Sequence, residues 1–107
     1  MFELTQSAYF CMEYGSPEYQ VYCAIPPEGI SYTKLINKLG NVGKHGYDYG
    51  LKYDWFRFDK EHYRIFRNKT IEVDEICESI KNIKEGFIPV DKKLIKKLKE
   101  RQYVISN

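Results

Sequence analysis

Residues 16–54 are punctuated so closely that they admit only short helices. Ser16-Pro17 is a start signal: a serine side chain accepts a bond from an early helical N–H, and proline at the first helical position has no useful N–H to lose. Pro26-Pro27 then stop the segment, and Glu28-Gly29 make the turn. Ser31 starts a second helix, and Gly40 ends it. A third is expected at about Lys44 to Asp54. Helices this short are marginal in isolation, so each must bury a face against its neighbours. In the second helix Leu35, Ile36 and Leu39 form that face, and Ile30 and Leu35 occupy the two positions of a hydrophobic staple.

Two aromatic and β-branched runs follow, Trp55 to Phe58 and Tyr63 to Arg67, joined by Asp59-Lys60-Glu61-His62. That is a hairpin pattern. Three short helices and then a hairpin is the order of a winged helix-turn-helix. The expected fold class is therefore α+β, mainly helical, a winged helix-turn-helix of the DNA-binding-like kind with additional flanking helices. The first flank, residues 1–15, reads as a strand end running into a helix with Thr5 as N-cap, the tail of a preceding winged-helix unit. Residues 70–86 read as a fourth helix with Val73, Ile76, Cys77, Ile80 and Ile83 on one face. The winged domain is expected to span 16–86. Residues 87–107 are left as a C-terminal basic helix or linker, capped by Asp91 and stapled by Val90 and Ile95.

A chain of 107 residues fits one compact domain and buries roughly two-thirds of its unfolded surface. Its net charge of +2 hides a segregation: residues 1–33 hold four acids and no Lys or Arg, whereas residues 34–69 hold nine bases and four acids. The middle segment is thus a +5 patch, the footprint of a polyanion contact and also of an ordinary solvated surface. Three cysteines without CxxC spacing make no zinc pattern with His45 and His62, and they read as reduced thiols of a cytoplasmic protein. The N-terminus has no secretory pattern, and no apolar run has membrane-spanning length, so a membrane is not an expected partner.

The stretch "GKHGYDYGLKYDWFRFDK", residues 43–60, is where chemistry is to be sought. Walker A needs GxxxxGK[ST] and the dinucleotide fingerprint needs GxGxxG; Gly43, Gly46 and Gly50 match neither. Gly46 and Gly50 lie four apart on one helix face, where missing Cβ atoms permit close packing, and Tyr47, Leu51 and Trp55 are expected to be core beside them. Each such glycine costs about 1 kcal/mol of helix propensity. The opposite face carries Lys44, His45, Asp48, Tyr49 and Lys52, without the Arg, Asn or Gln that read base edges in a major groove. The hairpin is more basic: Arg57, Lys60, Arg64, Arg67 and Lys69 suit a phosphate backbone, and equally a charged edge that resists aggregation. The run Lys92, Lys93, Lys96, Lys97, Lys99 and Arg101 reads as the solvated face of an amphipathic helix. No nucleophile, base and acid set assembles around either histidine, so no catalytic residue is assigned, and no metal or cofactor site either.

"SPEYQVYCAIPPEGI", a helix, "GKHGYDYGLKYDWFRFDK" and "RIFRN" together resemble the N-terminal extension of the α subunit of cytosolic, archaeal/eukaryotic-type phenylalanyl-tRNA synthetase. The Ile25–Gly29 turn, the Gly43-Lys44-x-Gly46 entry and Trp55-x-Arg57-x-Asp59-Lys60 carry the likeness, which spans nearly the whole chain. His45 and Gly50 depart from it, where a small aliphatic residue and Ala are usual. The resemblance implies DNA-binding-like winged domains that help bind the cognate tRNA ahead of a class II catalytic domain. It implies an (αβ)₂ enzyme with a β subunit that joins phenylalanine to tRNA with ATP and Mg²⁺. Those class II motifs are absent from this sequence, so the chain reads as a fragment inactive in aminoacylation, contacting tRNA through Lys44, Lys52, Arg57, Lys60, Arg64, Arg67 and Lys69. The alternatives are a protein–protein or architectural module and a free-standing DNA-binding regulator.

Overall fold

Gly40 ends one helix and begins the next. It closes α3 (Tyr32–Leu39) by donating its N–H to the Ile36 carbonyl, and α4 (Asn41–Lys52) starts at the following residue. Its φ of 63° lies in the left-handed region that glycine enters at little cost. The helix expected from Lys44 therefore starts three residues earlier. A computed structural model describes residues 2–106 of the chain, and they fall into two compact units.

Ser16–Glu72 form one unit. Here α2 (Pro17–Ala24), α3 and α4 precede β2 (Phe56–Asp59) and β3 (Arg64–Arg67), which pair antiparallel with Phe56 opposite Arg67 and Asp59 opposite Arg64. Both strands begin one residue later than the aromatic pattern suggests. Ile30 adds a single further rung: its N–H donates to the Ile65 carbonyl at 3.0 Å and its carbonyl accepts from the Ile65 N–H at 2.7 Å. Ser16 and Ser31 cap α2 and α3 as expected, accepting from the N–H groups of Tyr19 and Lys34. Val21, Tyr22, Ile25, Ile30, Leu35, Phe56 and Ile65 make the core, with Leu39, Tyr47 and Trp55 packed at its margin.

The face of α4 that enters this core is its glycine face. A methyl on Gly46 would run into the Pro17 carbonyl, one on Gly50 into the Phe56 ring, and one on Gly43 would lie 3.0 Å from the Leu39 Cβ. Leu51, expected in the core, is instead 41% exposed. It lies about 100° around the helix from Gly50, and the contacts to α2 and β2 already occupy the glycine side. The helix ends without glycine: Asp54 takes φ 60° while the Trp55 N–H reaches back to the Gly50 carbonyl at 2.8 Å, a Schellman-type closure.

The second unit joins residues 2–15 to residues 73–106. β1 (Phe2–Leu4) pairs antiparallel with β4 (Val104–Ser106), so the two ends of the described chain share one small sheet. α1 (Gln6–Tyr14), α5 (Glu75–Lys84) and α6 (Lys92–Glu100) enclose Ala8, Cys11, Ile76, Ile80, Leu98, Tyr103 and Val104. This corrects the expected domain plan. The domain placed at 16–86 ends at Glu72, because α5 turns Ile76 and Ile80 toward Ala8 and Leu98, and residues 2–15 and 87–106, expected as separate segments, fold together. Val73 lies ahead of α5 and is exposed, and Val90 is 96% exposed, so the expected staple on α6 does not form. Thr5 and Asp91 are the caps expected of them, accepting from Ala8 and Lys93. Cys11, Cys23 and Cys77 form no disulfide, and burial pushes the Cys77 thiol above its ordinary range.

Helix propensity alone predicts that Gly46→Ala stabilises the chain by about 1 kcal/mol. The Pro17 carbonyl is backbone and cannot rotate aside, so the packing predicts the opposite sign: a loss of about 1–3 kcal/mol. Urea denaturation of the two proteins decides between these; a midpoint that rises in Gly46→Ala removes the packing role.

Candidate nucleic-acid interface

β-Pleating divides the hairpin's basic side chains between two faces, because successive residues of a strand point to opposite sides. Phe56, Phe58, Ile65 and Arg67 share one face; Arg57, Asp59, Arg64 and Phe66 share the other. Phe56 and Ile65 are buried, which makes the first face the inner one. Arg67 remains exposed, yet its guanidinium is tied to Tyr22. Its Nε donates to the Tyr22 carbonyl at 2.8 Å, and its guanidinium stands over the Tyr22 ring at 4.5 Å. The Tyr22 hydroxyl in turn accepts from the Ile71 N–H. Of the seven expected contact residues, Arg67 has its guanidinium engaged twice by one residue, on the Tyr22 carbonyl and on the Tyr22 ring.

Arg57 and Arg64 lie on neighbouring rungs of the outer face. Arg57 stacks over Phe66 at 4.4 Å, its opposite partner on β3, and Arg64 donates to the Gly29 carbonyl at 3.3 Å. Both side chains remain exposed, oriented by contacts that leave guanidinium edges for other acceptors. Lys60 stands in the hairpin loop and Lys69 beyond β3, both exposed. Lys44 and Lys52 are exposed on α4, together with His45 and Asp48. The seven residues thus occupy the helix surface, the outer hairpin face, the inner face, the loop and the following segment. The fold brings Arg57 and Arg64 together and separates Arg67 from them.

At the hairpin tip Asp59 organises the turn. Its Oδ1 accepts from the Glu61 N–H at 3.0 Å and its Oδ2 lies 2.8 Å from His62 Nδ1. The His62 hydrogen bond holds the Asp59 carboxyl below the usual carboxylate range, with the turn N–H groups adding to it. Asp59, Glu61 and His62 bring potential ligand atoms within 4.8 Å of one another, but the Asp59 oxygens are already engaged in the turn. His62, which looks isolated in sequence, is therefore a turn residue. Nor do the α4 glycines form a phosphate cradle: Pro17, Phe56 and Leu39 cover them. Around Tyr47, burial raises the phenol pKa, with Tyr32 and Asp48 adding to the effect.

The structure also collects residues that sequence reasoning passed over. An open groove of about 550 Å³ lies between α3 and the hairpin tip, lined by Lys34, Lys38, Tyr63, Arg64, His62 and Glu28 among others. Lys34 and Lys38 are four apart, and so share one side of α3, which is legible in sequence. Their nearness to the hairpin tip is not. Much of the basic run of α6 is solvated as expected, with Leu98 buried and Lys96 exposed beside Glu100 at 3.9 Å, whereas Lys97 and Arg101 are half-buried.

A helix trio closed by an antiparallel hairpin, with basic side chains on the hairpin's outer face, is a mixed, mainly helical fold of winged-helix-like kind. The family PheRS DNA binding domain 3 matches residues 16–73, a span that coincides within one residue with the compact unit Ser16–Glu72, and the chain belongs to that family. The chain is 31% identical over 87 residues to a phenylalanine–tRNA ligase alpha subunit of Danio rerio, an alignment covering 78% of this chain. It spans 17% of that relative's length.

The Asp59 geometry gives a titration prediction. A carboxyl lowered on folding contributes stability above its unfolded pKa, and that contribution fades as pH falls through the lowered folded value. Carboxyl-carbon NMR should place the Asp59 midpoint below that of an unperturbed aspartate, and His62→Ala should return it toward the ordinary range. An unmoved midpoint in His62→Ala would remove His62 as the cause.

Proposed function

We propose that this chain is an accessory, tRNA-contacting region of a phenylalanine–tRNA ligase α subunit. The observation that carries the proposal is the family match over residues 16–73 to a DNA-binding domain of that synthetase, on a unit that exposes a basic outer hairpin face. In this reading α2, α3 and α4 form a helix-turn-helix, β2–β3 is its wing, and the helices of the second unit are flanking elements. Arg57, Arg64, Lys60 and Lys69 would meet phosphates from the hairpin side, and Lys44 and Lys52 from α4. Phosphate contact rather than base reading suits this surface, because α4 presents lysines and Asp48 where bidentate base-reading side chains would stand. Arg67 is left out of the contact set, since its guanidinium already serves Tyr22.

The same proposal makes the parent a cytoplasmic class II enzyme that joins phenylalanine to its tRNA with ATP and Mg²⁺, paired with a β subunit in an (αβ)₂ assembly. Aminoacylation would belong to another part of that protein. Residues of this chain contribute by holding cations at fixed places on a rigid hairpin, which positions an RNA backbone without reading its sequence. A protein-contacting role has one observation in its favour: Phe87, Ile88 and Val90 are all exposed in the segment between α5 and α6.

Tritium- or fluorophore-labelled tRNA titrated with the chain at several salt concentrations tests the proposal. Removing one phosphate-bound cation should lower the slope of log affinity against log salt by roughly 0.7–0.9. Arg57→Glu with Arg64→Glu should flatten that slope and weaken binding at low salt, whereas Arg67→Ala should lower thermal stability. Unchanged tRNA affinity at low salt in the double variant would overturn the hairpin assignment.

A further inference from the structure

Tyr63 is placed where a tyrosine is costly and gains little from packing. It ends the hairpin loop with φ 53°, a left-handed conformation that Asn and Gly adopt far more readily. Its side chain is 73% exposed, so burial does not offset the strain. An edge contact with Phe58, 6.3 Å between ring centres, leaves most of the ring in solvent. An exposed ring held in a strained backbone is a reason to look for a ligand.

What surrounds Tyr63 indicates which ligand. The groove it lines, about 550 Å³, brings together Lys34 and Lys38 of α3, His62 and Arg64 of the hairpin, and the single acid Glu28. Its walls are fixed. Ser31 caps α3 beneath Lys34, the Ile30–Ile65 rung ties the turn to β3, and Arg64 is anchored on the Gly29 carbonyl. Three permanent cations against one carboxylate favour an anionic occupant, and a flat aromatic face favours one that carries a planar base. Duplex RNA offers its phosphates but keeps its bases stacked internally; an unpaired nucleotide offers both.

We infer that the groove between α3 and the hairpin tip binds an unpaired nucleotide of RNA, with its base stacked on Tyr63 and its phosphates held by Lys34, Lys38 and Arg64. The inference rests on the tRNA-contacting reading and deepens it: the outer hairpin face meets backbone, while this groove takes up a loop or single-stranded end. His62 is oriented by Asp59 at the rim and supplies a further polar contact. Ring stacking and phosphate contacts do not depend on the base, so the site should accept any base, with Asn37 on the wall as the lining amide able to reach a base edge.

Fluorescence anisotropy with a labelled adenosine-rich single-stranded RNA, and with the same strand annealed to its complement, tests this on the whole chain. Tyr63→Ala and Tyr63→Asn should each weaken single-strand binding by about 5- to 100-fold and leave duplex binding unchanged. Tyr63→Phe should retain it. Asn suits the left-handed backbone, so Tyr63→Asn should be no less stable than the parent, which separates a binding defect from a folding defect. Lys34→Glu with Lys38→Glu should also weaken the single strand. Unaltered single-strand affinity in both Tyr63→Ala and Tyr63→Asn, or a loss in Tyr63→Phe as large as in Tyr63→Ala, would overturn the groove assignment. If Arg57→Glu meanwhile weakens the duplex, the phosphate-contacting hairpin face stands and only the groove fails. Absence of binding to either RNA overturns both.

Discussion

The unit Ser16–Glu72 depends on one face of one helix being almost without side chains. Gly43, Gly46 and Gly50 let α4 approach Leu39, the Pro17 carbonyl and the Phe56 ring at distances that a Cβ at any of them would disturb. Three glycines in a helix cost about 3 kcal/mol of propensity. That cost is offset by what close approach buries: Val21 and Leu35 are fully covered, and Phe56 nearly so. At roughly 1.5–3 kcal/mol for each large apolar side chain taken from water, these burials outweigh the propensity deficit. The glycines are thus packing devices, and their occupation by neighbours is also why they cannot hold a phosphate.

Aromatic side chains do much of the remaining work, and they carry their polar ends with them. Tyr22 is the best case: its ring sits in the core, its carbonyl receives Arg67, its ring face receives the same guanidinium and its hydroxyl accepts from the Ile71 N–H. Trp55 joins α4 to β2, edge-on to both Tyr22 and Phe56, while its carbonyl accepts from the Asn68 N–H. Such contacts fix the hairpin on the helices and so decide which arginines stay available. Arg67 is exposed but braced on the Tyr22 carbonyl and ring, whereas Arg57 and Arg64 are steadied on the outer face by Phe66 and the Gly29 carbonyl.

Local chemistry makes much of this legible from the chain alone. Thr5, Ser16, Ser31 and Asp91 are all N-caps because each presents a short acceptor just before a helical run. The helix trio and the hairpin follow from the same punctuation. Inference of burial from spacing alone is what fails. Leu51 has an apolar neighbour pattern but lies off the glycine face. Val90 is in staple position, yet it remains exposed. Residues 73–84 read as part of the winged domain because they follow it in the chain, although their apolar face belongs with Ala8, Cys11 and Leu98 from the chain's two ends. Contacts across so many residues leave no mark on local periodicity.

The candidate surfaces divide in the same way. That the middle of the chain is basic, that Arg57 and Arg64 share a strand face and that Lys34 and Lys38 share a helix side are consequences of composition and of the periods of strand and helix. The resemblance to a synthetase extension is likewise readable from short motifs in order. Tertiary structure alone decided that Arg67 is engaged by Tyr22, that Tyr63 is held out in a left-handed turn, and that the α3 lysines face the hairpin tip across a common groove. The reason is physical: periodicity fixes which residues share a face of one element, but which faces meet depends on how closely the elements can pack, and here the glycines of α4 set that distance.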